Sequence, residues 1–533
     1  MFYGRDLPGG GVSRARSRIA LAVGLAAAAA GLAACSSGSS SQNSSSVPAG
    51  LQKFYDEKLR WGACPPQAAL ASGAATDEAT AAQAVAGFQC TTLTVPLDYA
   101  RPDGTTIKLV MNRLPATDQK QRIGPLLTNP GGPGGSGLGF AFGAKTFFSP
   151  GLRARYDIVG LDPRGVGLSS PVNCNATSQQ QQQSNALAAA TVLAQACQKT
   201  SGKIIPYVGT DNAARDMDIA RAALGESKLD YYGVSYGTLL GQVYAQEFPK
   251  NVGRMVLDSV VNPTAAADPT AQVVSFETTF QVLVQGCLDR GNCPLGSSRN
   301  EVQARFDNLL SRLQSSPLPN GPGNPPITDT SLISYVQQNL YNEKQWPSIE
   351  ATLAALFRNS ATTTPNGAQG GSRALRSAAG SGESEDSFTA IDCLTFPADQ
   401  RTVPAAMQAA QQAKAVAPHF WTVVEHEWLD CAKWPVASPS GAGRAISAPG
   451  TPPILLVTNT YDPATPASWA RAVHGQLANS MLVTNTAGGH GFYPMGSCTH
   501  QVVDNFLISG RKPASGTACH DGNPILAPPS SGP

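Results

Sequence analysis

The residues best suited to chemistry lie in the stretch 229–238, where a short apolar run leads into Gly-x-Ser-x-Gly and then into a helical pattern. This motif is typical of a sharp strand-to-helix turn that lifts a serine Oγ clear of a sheet. Gly233 and Gly237 lack the Cβ atoms that would keep the strand and the helix from passing so closely. The motif alone is weak because glycine and serine are common. It nevertheless predicts Ser235 as the nucleophile of an acyl-transfer reaction.

A glycine-rich stretch, residues 129–137, follows another apolar run and could stabilise the negative charge that acyl transfer places on a carbonyl oxygen. Backbone N–H groups aimed at that oxygen form an oxyanion hole. We predict that Gly132 supplies one N–H and that Tyr236, directly after the serine, supplies the other. A phosphate-binding loop is the alternative, but the stretch lacks Gly-Lys-Ser/Thr and does not have the glycine spacing of a dinucleotide loop.

A base must take the proton of the serine, and one histidine has a suitable position. His490 lies in Gly-Gly-His-Gly just after a predicted strand, whereas the other five histidines lie in helical or irregular segments or in the tail. A histidine on such a loop can come within hydrogen-bond reach of a serine Oγ. A purely structural loop histidine is the alternative.

Two aspartates could orient this imidazole. Asp462 follows the predicted strand before the one that leads to His490, and Asp258 follows an earlier strand. The chain order Ser235, Asp462, His490 is the one expected of an α/β-hydrolase, so we favour Asp462. Some hydrolases of this architecture use the location of Asp258, which would otherwise be a wall residue or a turn cap.

The elements that must hold these residues alternate between strands and helices, as in a mostly parallel sheet with helices on both faces. The predicted strands cover residues 89–99, 106–113, 125–129, 156–161, 229–234, 254–257, 453–458 and 481–484. We therefore predict an α/β-hydrolase fold whose core comprises residues 51–262 and 450–533. A large helical cap, residues 263–449, is inserted between the sixth and seventh core strands, and its residues 359–387 form a surface loop.

Composition limits the classes of function. The 533 residues are 42% hydrophobic and 14% charged, which suits a globular core of enzyme size. The formal net charge is +2, and the first 34 residues hold four arginines against one aspartate, so the remainder is near neutral. This balance gives no electrostatic support for nucleic-acid binding.

The N-terminal residues 1–34 have the pattern of an export signal, with a basic start, an apolar run and a small-residue cleavage site. Cys35 follows that site directly, as in a bacterial lipobox, so we predict that it carries lipid. An ordinary secretory signal with an accidental cysteine is the alternative. Residues 35–50 are rich in Ser, Gly, Gln and Asn and suit a flexible tether.

The other cysteines are even in number, which in an exported chain indicates disulfides. We favour pairing in sequential order, although spacing alone does not fix connectivity. A metal site is not expected, because the sequence has no Cys-x-x-Cys or His-Glu-x-x-His pattern, and no cofactor is implied. The ten residues are Cys64, Cys90, Cys174, Cys197, Cys287, Cys293, Cys393, Cys431, Cys498 and Cys519.

Five motifs in this order resemble those of exported actinobacterial tripeptidyl aminopeptidases, which are related to the prolyl aminopeptidases of the α/β-hydrolase fold. They are residues 129–137, 162–169, 233–237, 462–466 and 489–491. The resemblance extends from Phe54 to Cys519. One departure is Pro130, which stands where prolyl aminopeptidases have histidine, and this favours the tripeptidyl branch.

The resemblance implies a serine exopeptidase that takes peptide or protein N-termini as substrate at the outer face of a cell membrane or after secretion. Such an enzyme must bind a free α-ammonium, for which Glu277 and Asp392 in the cap are candidate carboxylates. An esterase or lipase with the same triad is the main alternative. A catalytically silent surface protein is a further one.

Overall fold

The structure, a computed structural model, describes residues 47–48, 50–176, 185–265, 268, 270–320, 325–359, 384–395, 397, 402–439 and 443–522. The predicted signal peptide, Cys35 and all but a few residues of the tether lie outside the described residues. Most of the predicted loop 359–387 does so too. Among the described residues, no helix combines the length and apolar character needed to cross a membrane.

One sheet runs through the described chain. Its strands are β1 (Gly62–Ala63), β2 (Gln89–Pro96), β3 (Thr106–Leu114), β4 (Gly124–Asn129), β5 (Tyr156–Leu161), β6 (Leu229–Val234), β7 (Val252–Asp258), β8 (Ile454–Tyr461), β9 (Ser480–Gly488) and β10 (Ala518–Cys519). The spatial order is β1-β2-β3-β5-β4-β6-β7-β8-β9-β10. Strands β1 to β3 pair antiparallel, and β3 also pairs antiparallel with β5. Every pair of neighbours in the part β5-β4-β6-β7-β8-β9-β10 of this order is parallel.

Helices cover both faces of this sheet, because neighbouring residues on the central strands point to opposite sides. Leu127, Tyr231 and Leu257 belong to one apolar cluster. Their neighbours Leu126, Tyr232 and Val256 belong to another. The helices described outside the cap are α1 (Gln52–Tyr55), α2 (Pro66–Ala71), α3 (Glu78–Val85), α4 (Gly137–Phe142), α5 (Ala144–Phe147), α6 (Pro150–Arg155), α7 (Ala186–Ser201), α8 (Thr210–Ala223), α9 (Tyr236–Glu247), α17 (Ala467–Gln476) and α18 (Ser497–Ser509).

The cap lies between β7 and β8 in the chain. These are the sixth and seventh of the predicted strands, because the two-residue β1 carries no periodicity that could predict it. The cap helices described are α10 (Ala271–Asp289), α11 (Arg299–Ser315), α12 (Asp329–Leu340), α13 (Trp346–Asn359), α14 (Glu385–Thr395), α15 (Val403–Val416) and α16 (Thr422–Lys433). The predicted fold class, a mostly parallel sheet with helices and a helical cap, is confirmed.

The cap has two parts that pack differently. Helices α10 to α13 enclose their own apolar cluster around Phe280, Phe306 and Leu353. Helix α14 instead contributes Ile391 and Leu394 to the cluster of the main core. One part of the cap therefore has an apolar cluster of its own, and the other part shares the cluster of the hydrolase core.

Candidate active site

Ser235 occupies the turn between β6 and α9, where its backbone has φ 57° and ψ −127°. A positive φ is rare for a residue other than glycine, and this strained turn holds the side chain at the head of the helix. The close passage of the chain explains the flanking glycines. A Cβ on Gly233 would lie 2.5 Å from the carbonyl oxygen of Gly237. The half-buried Ser235 is thus presented where its motif predicts.

The glycine-rich loop after β4 lies directly against this turn. A Cβ on Gly131 would be 2.8 Å from the Ser235 Cβ and 2.9 Å from the Tyr236 nitrogen. The N–H of Gly131 donates to Asn129 Oδ1 at 2.9 Å. No hydrogen bond between described residues engages the N–H of Gly132. Tyr236 is the first residue of α9, so the helix leaves its N–H unused. These two N–H groups suit an oxyanion hole.

Buried ion and hydrogen-bond partners fix the far end of that loop. Ser136 caps α4 and donates its Oγ to Asp162 Oδ1 at 2.6 Å. Asp162 also accepts the N–H of Leu168 at 2.9 Å. Burial raises the pKa of Asp162, although the hydrogen bond from Ser136 opposes that rise. Arg164 and Asp216, both buried, pair at 2.6 Å behind it. The 162–169 motif is therefore the support of the glycine-rich loop.

His490 and Asp462 meet at the ends of neighbouring strands. The His490 Nδ1 lies 2.9 Å from each carboxylate oxygen of Asp462. Asp462 is buried and accepts the N–H and the Oγ1–H of Thr465, each at 2.9 Å. Because both carboxylate oxygens are acceptors, we assign the proton to Nδ1, which leaves Nε2 as the basic nitrogen.

Asp258, the alternative acid, has different partners. Its carboxylate accepts the Tyr232 hydroxyl and the N–H groups of Phe492 and Tyr493, the latter two at 2.7 and 3.0 Å. Burial raises its pKa, and the bond from Tyr232 opposes that rise. The Asp258 carbonyl also accepts the N–H of Ser235 at 2.9 Å. The end of β7 thus ties the serine turn and the histidine loop together.

The two candidate ammonium-binding acids lie in different surroundings. Glu277 on α10 is committed to His419, whose Nδ1 is 2.8 and 3.0 Å from its two oxygens. Asp392 on α14 instead lies near the Tyr236 side chain. Burial raises the pKa of the Tyr236 phenol, and the charges of Asp211 and Asp392 raise it further. Glu277 is therefore bound within the cap, whereas Asp392 lies close enough to the Tyr236 side chain for its charge to act on the phenol.

Two further acids accompany Asp392. Burial and the charges of Asp392 and Asp430 raise the pKa of Glu427 to about 8. Burial and the charge of Glu385 raise the pKa of Asp430 to about 7. In the sequence, Glu427 and Asp430 lie in the stretch His-Glu-x-x-Asp, residues 426–430, which lacks the second histidine of a zinc motif. Their spacing of three residues beside Cys431, on one face of a helix, is the signal that could have predicted a shared site.

Five disulfides join the ten cysteines in sequential order. The pair Cys393–Cys431 connects α14 with α16 and so holds Asp392 near Glu427. The other pairs are Cys64–Cys90, Cys174–Cys197, Cys287–Cys293 and Cys498–Cys519.

Several known proteins are similar to this chain. Residues 417–519 match the family model described as TAP-like protein. The tripeptidyl aminopeptidase of Streptomyces lividans is 34% identical over 471 residues, covering 81% of this chain and 83% of that protein. The serine protease Hip1 of Mycobacterium tuberculosis (strain ATCC 25618 / H37Rv) is 33% identical over 470 residues, covering 81% and 87%. A solved alpha/beta hydrolase fold protein from Chitinophaga pinensis is 14% identical, covers 76% of this chain and 94% of its own, and has a TM-score of 0.34.

Fold, serine turn and relatives together define a serine peptidase with an α/β-hydrolase fold. These relatives match 81% of the chain. The chain belongs to the tripeptidyl aminopeptidase family, as its motifs predict.

Proposed function

We propose that this enzyme releases tripeptides from free peptide N-termini, with Ser235 as nucleophile, His490 as base and Asp462 as the acid that orients it. The observation that carries the proposal is the contact of His490 Nδ1 with both oxygens of Asp462 at 2.9 Å. Asp258, at the end of β7, binds both segments. Its carbonyl accepts the N–H of Ser235, and its carboxylate accepts the N–H of Phe492 in the histidine loop.

The reaction proceeds in two steps of acyl transfer. His490 Nε2 takes the proton of Ser235 as Oγ attacks the peptide carbonyl, and the N–H groups of Gly132 and Tyr236 receive the oxyanion. The imidazolium, stabilised by Asp462, then gives the proton to the leaving amine as the C–N bond breaks. Water, deprotonated by the same imidazole, attacks the acyl-enzyme and releases the tripeptide.

The carboxylates of Asp392, Glu427 and Asp430 suit recognition of the substrate's α-ammonium. Helix α14 packs on the glycine-rich loop, since a Cβ on Gly134 would lie 2.8 Å from the Phe388 nitrogen. Asp392 follows one turn further along that helix. Burial and mutual repulsion raise the pKa of Glu427, and an ammonium bound between these acids would relieve that repulsion. Binding of the ammonium at this site would fix the number of residues between the amino terminus and the scissile bond.

We also propose that the enzyme is exported. Cys35 then becomes a lipid-bearing first residue that anchors the enzyme to a membrane, and without lipid the enzyme is secreted. Five disulfides favour an oxidising compartment, and the signal-like residues 1–34 favour passage into it.

A substrate series tests the proposal and separates it from the esterase alternative. The series is a tripeptide anilide, its N-acetylated form and a short-chain nitrophenyl ester, with Ser235→Ala as the blank. We expect efficient turnover of the free tripeptide anilide only. Equal turnover of the acetylated and free anilides would contradict the aminopeptidase function. Activity remaining in Ser235→Ala would contradict the triad.

Two variants test the ammonium site within the same series. Asp392→Asn and Glu427→Gln should raise KM for the free anilide about tenfold, because an amide cannot become the carboxylate that the bound ammonium requires. The control is Glu277→Gln, which changes a cap acid already committed to His419 and should leave KM unchanged. A KM increase in the control equal to that in the two variants would place the ammonium elsewhere.

A further inference from the structure

Tyr341 connects the cap to the loop of His490. It follows the last residue of α12, and its carbonyl oxygen accepts the N–H of His490 at 2.7 Å. A Cβ on Gly489 would lie 2.8 Å from the same oxygen, so the two backbones are in contact. The Tyr341 ring meets the His490 ring edge-on, with centroids 5.0 Å apart. A cap residue therefore forms one side of the imidazole's surroundings.

This ring is exposed, although its neighbours are buried. Tyr341 is 39% exposed, whereas Phe276 behind it is 3% exposed. The two ring centroids are 6.0 Å apart, and the Phe420 ring stacks on Phe276 at 5.8 Å. Phe276 is on α10, whose Ser275 donates its Oγ to the Asp462 carbonyl at 2.7 Å. The aromatic surface is thus held firmly against both His490 and the segment of Asp462.

The chemistry of acyl transfer says which part of a substrate lies beside this surface. The imidazole hands its proton to the leaving amine, so the residue that follows the scissile bond must lie next to His490. A large exposed ring backed by buried rings favours contact with an apolar or aromatic side chain.

We propose that Tyr341, backed by Phe276, forms the subsite for the residue on the leaving side of the scissile bond. This subsite takes an apolar or aromatic side chain and disfavours glycine. The inference rests on the proposed peptidase function. It adds a preference for the side chain of the residue that follows the scissile bond.

Peptides that share one tripeptide and differ only in the next residue test the subsite. They have the form tripeptide-Xaa-Gly, with Xaa as Phe, Leu or Gly, and release of the tripeptide is measured. Because the acyl group is common, deacylation is the same for all three. We expect kcat/KM for Phe and Leu to exceed that for Gly by about tenfold in the wild type. Tyr341→Ala should bring this ratio close to one.

Two variants control for a merely structural effect. Tyr341→Phe keeps the ring and should keep the ratio. Met407→Ala removes a different exposed apolar side chain of the cap, on α15, and should also keep it. A ratio that persists in Tyr341→Ala, or a flat profile in a wild-type enzyme that cleaves all three peptides, would overturn the subsite alone. A wild type that cleaves none of them would overturn the proposed function, and the subsite with it.

Discussion

At the residue scale, the site is organised by two buried aspartates with separate tasks. Asp462 binds the imidazole of His490, while Asp258 accepts the backbone N–H groups of Phe492 and Tyr493, which follow that histidine. Both follow from the same rule, since carboxyl ends of parallel strands meet at one edge of the sheet. Sequence order favours the first as the acid, but it gives no indication that the second would fix the histidine loop.

Substitutions of these two aspartates should have unequal effects on kcat. Asp462→Asn should lower kcat for a tripeptide anilide by about 10⁴-fold, because an amide cannot hold the imidazole in the required tautomer. Asp258→Asn should cost about 10²-fold at most, because it displaces the loop without changing the tautomer.

The control for this comparison is Asp157→Asn. That aspartate is also buried, but it lies at the amino end of β5 and binds Arg122 and the N–H of Ala116. Its substitution should affect stability and leave kcat unchanged. A loss in Asp258→Asn as large as that in Asp462→Asn would mean that both carboxylates share the acid's task.

At the element scale, the cap helices position the site as well as cover it. Helix α10 donates side-chain hydrogen bonds to the carbonyls of Tyr461, Asp462 and Ala464. Helix α14 rests on the glycine-rich loop at Gly134, and its Ser387 donates its Oγ to the Gly165 carbonyl of the neighbouring 162–169 segment at 2.7 Å. Movement of α10 would therefore displace the segment of Asp462, whereas movement of α14 would displace the glycine-rich loop.

The histidine that joins two cap helices should make cap stability depend on pH. His419 is buried between Glu277 of α10 and Asp307 of α11, with Gln303 beside it. Burial lowers its pKa, but the bonds and charges of the two acids outweigh burial and raise it overall. This stabilisation is complete below the ordinary pKa of about 6.5 and is lost as pH rises through the raised pKa.

Thermal unfolding of His419→Gln measures that contribution. The difference in Tm between the variant and the wild type should be larger at pH 6 than at pH 9, because only the imidazolium gains from both acids. The loss at pH 6 should be on the order of 1–3 kcal/mol. Equal differences at the two pH values would show that the charge of His419 contributes nothing.

At the scale of the whole molecule, the sequence predicts what depends on local chemistry and chain order. The serine turn, the glycine-rich loop and the alternation of strands and helices each leave a local pattern, and their order implies a common edge. The two-residue strands β1 and β10 are too short to leave one. Cys64–Cys90 holds β1 beside β2, and Cys498–Cys519 ties β10 to helix α18.

The role of each cap acid also lies beyond local pattern. Glu277 is bound by His419, which is 142 residues further along the chain. Glu427 lies near Asp392 where helices α14 and α16 pack together and are joined by a disulfide. Such pairings depend on how the cap helices pack, which periodicity on one helix does not determine.

The central claim is that Ser235 forms the acyl-enzyme, and trapping that intermediate tests it most directly. The enzyme is mixed with a tripeptidyl nitrophenyl ester, quenched in acid within the first turnover, digested and analysed by mass spectrometry. The account predicts one tripeptidyl adduct, on the peptide that contains Ser235, and no adduct in Ser235→Ala. An adduct on another residue, or an equal adduct in Ser235→Ala, would contradict it.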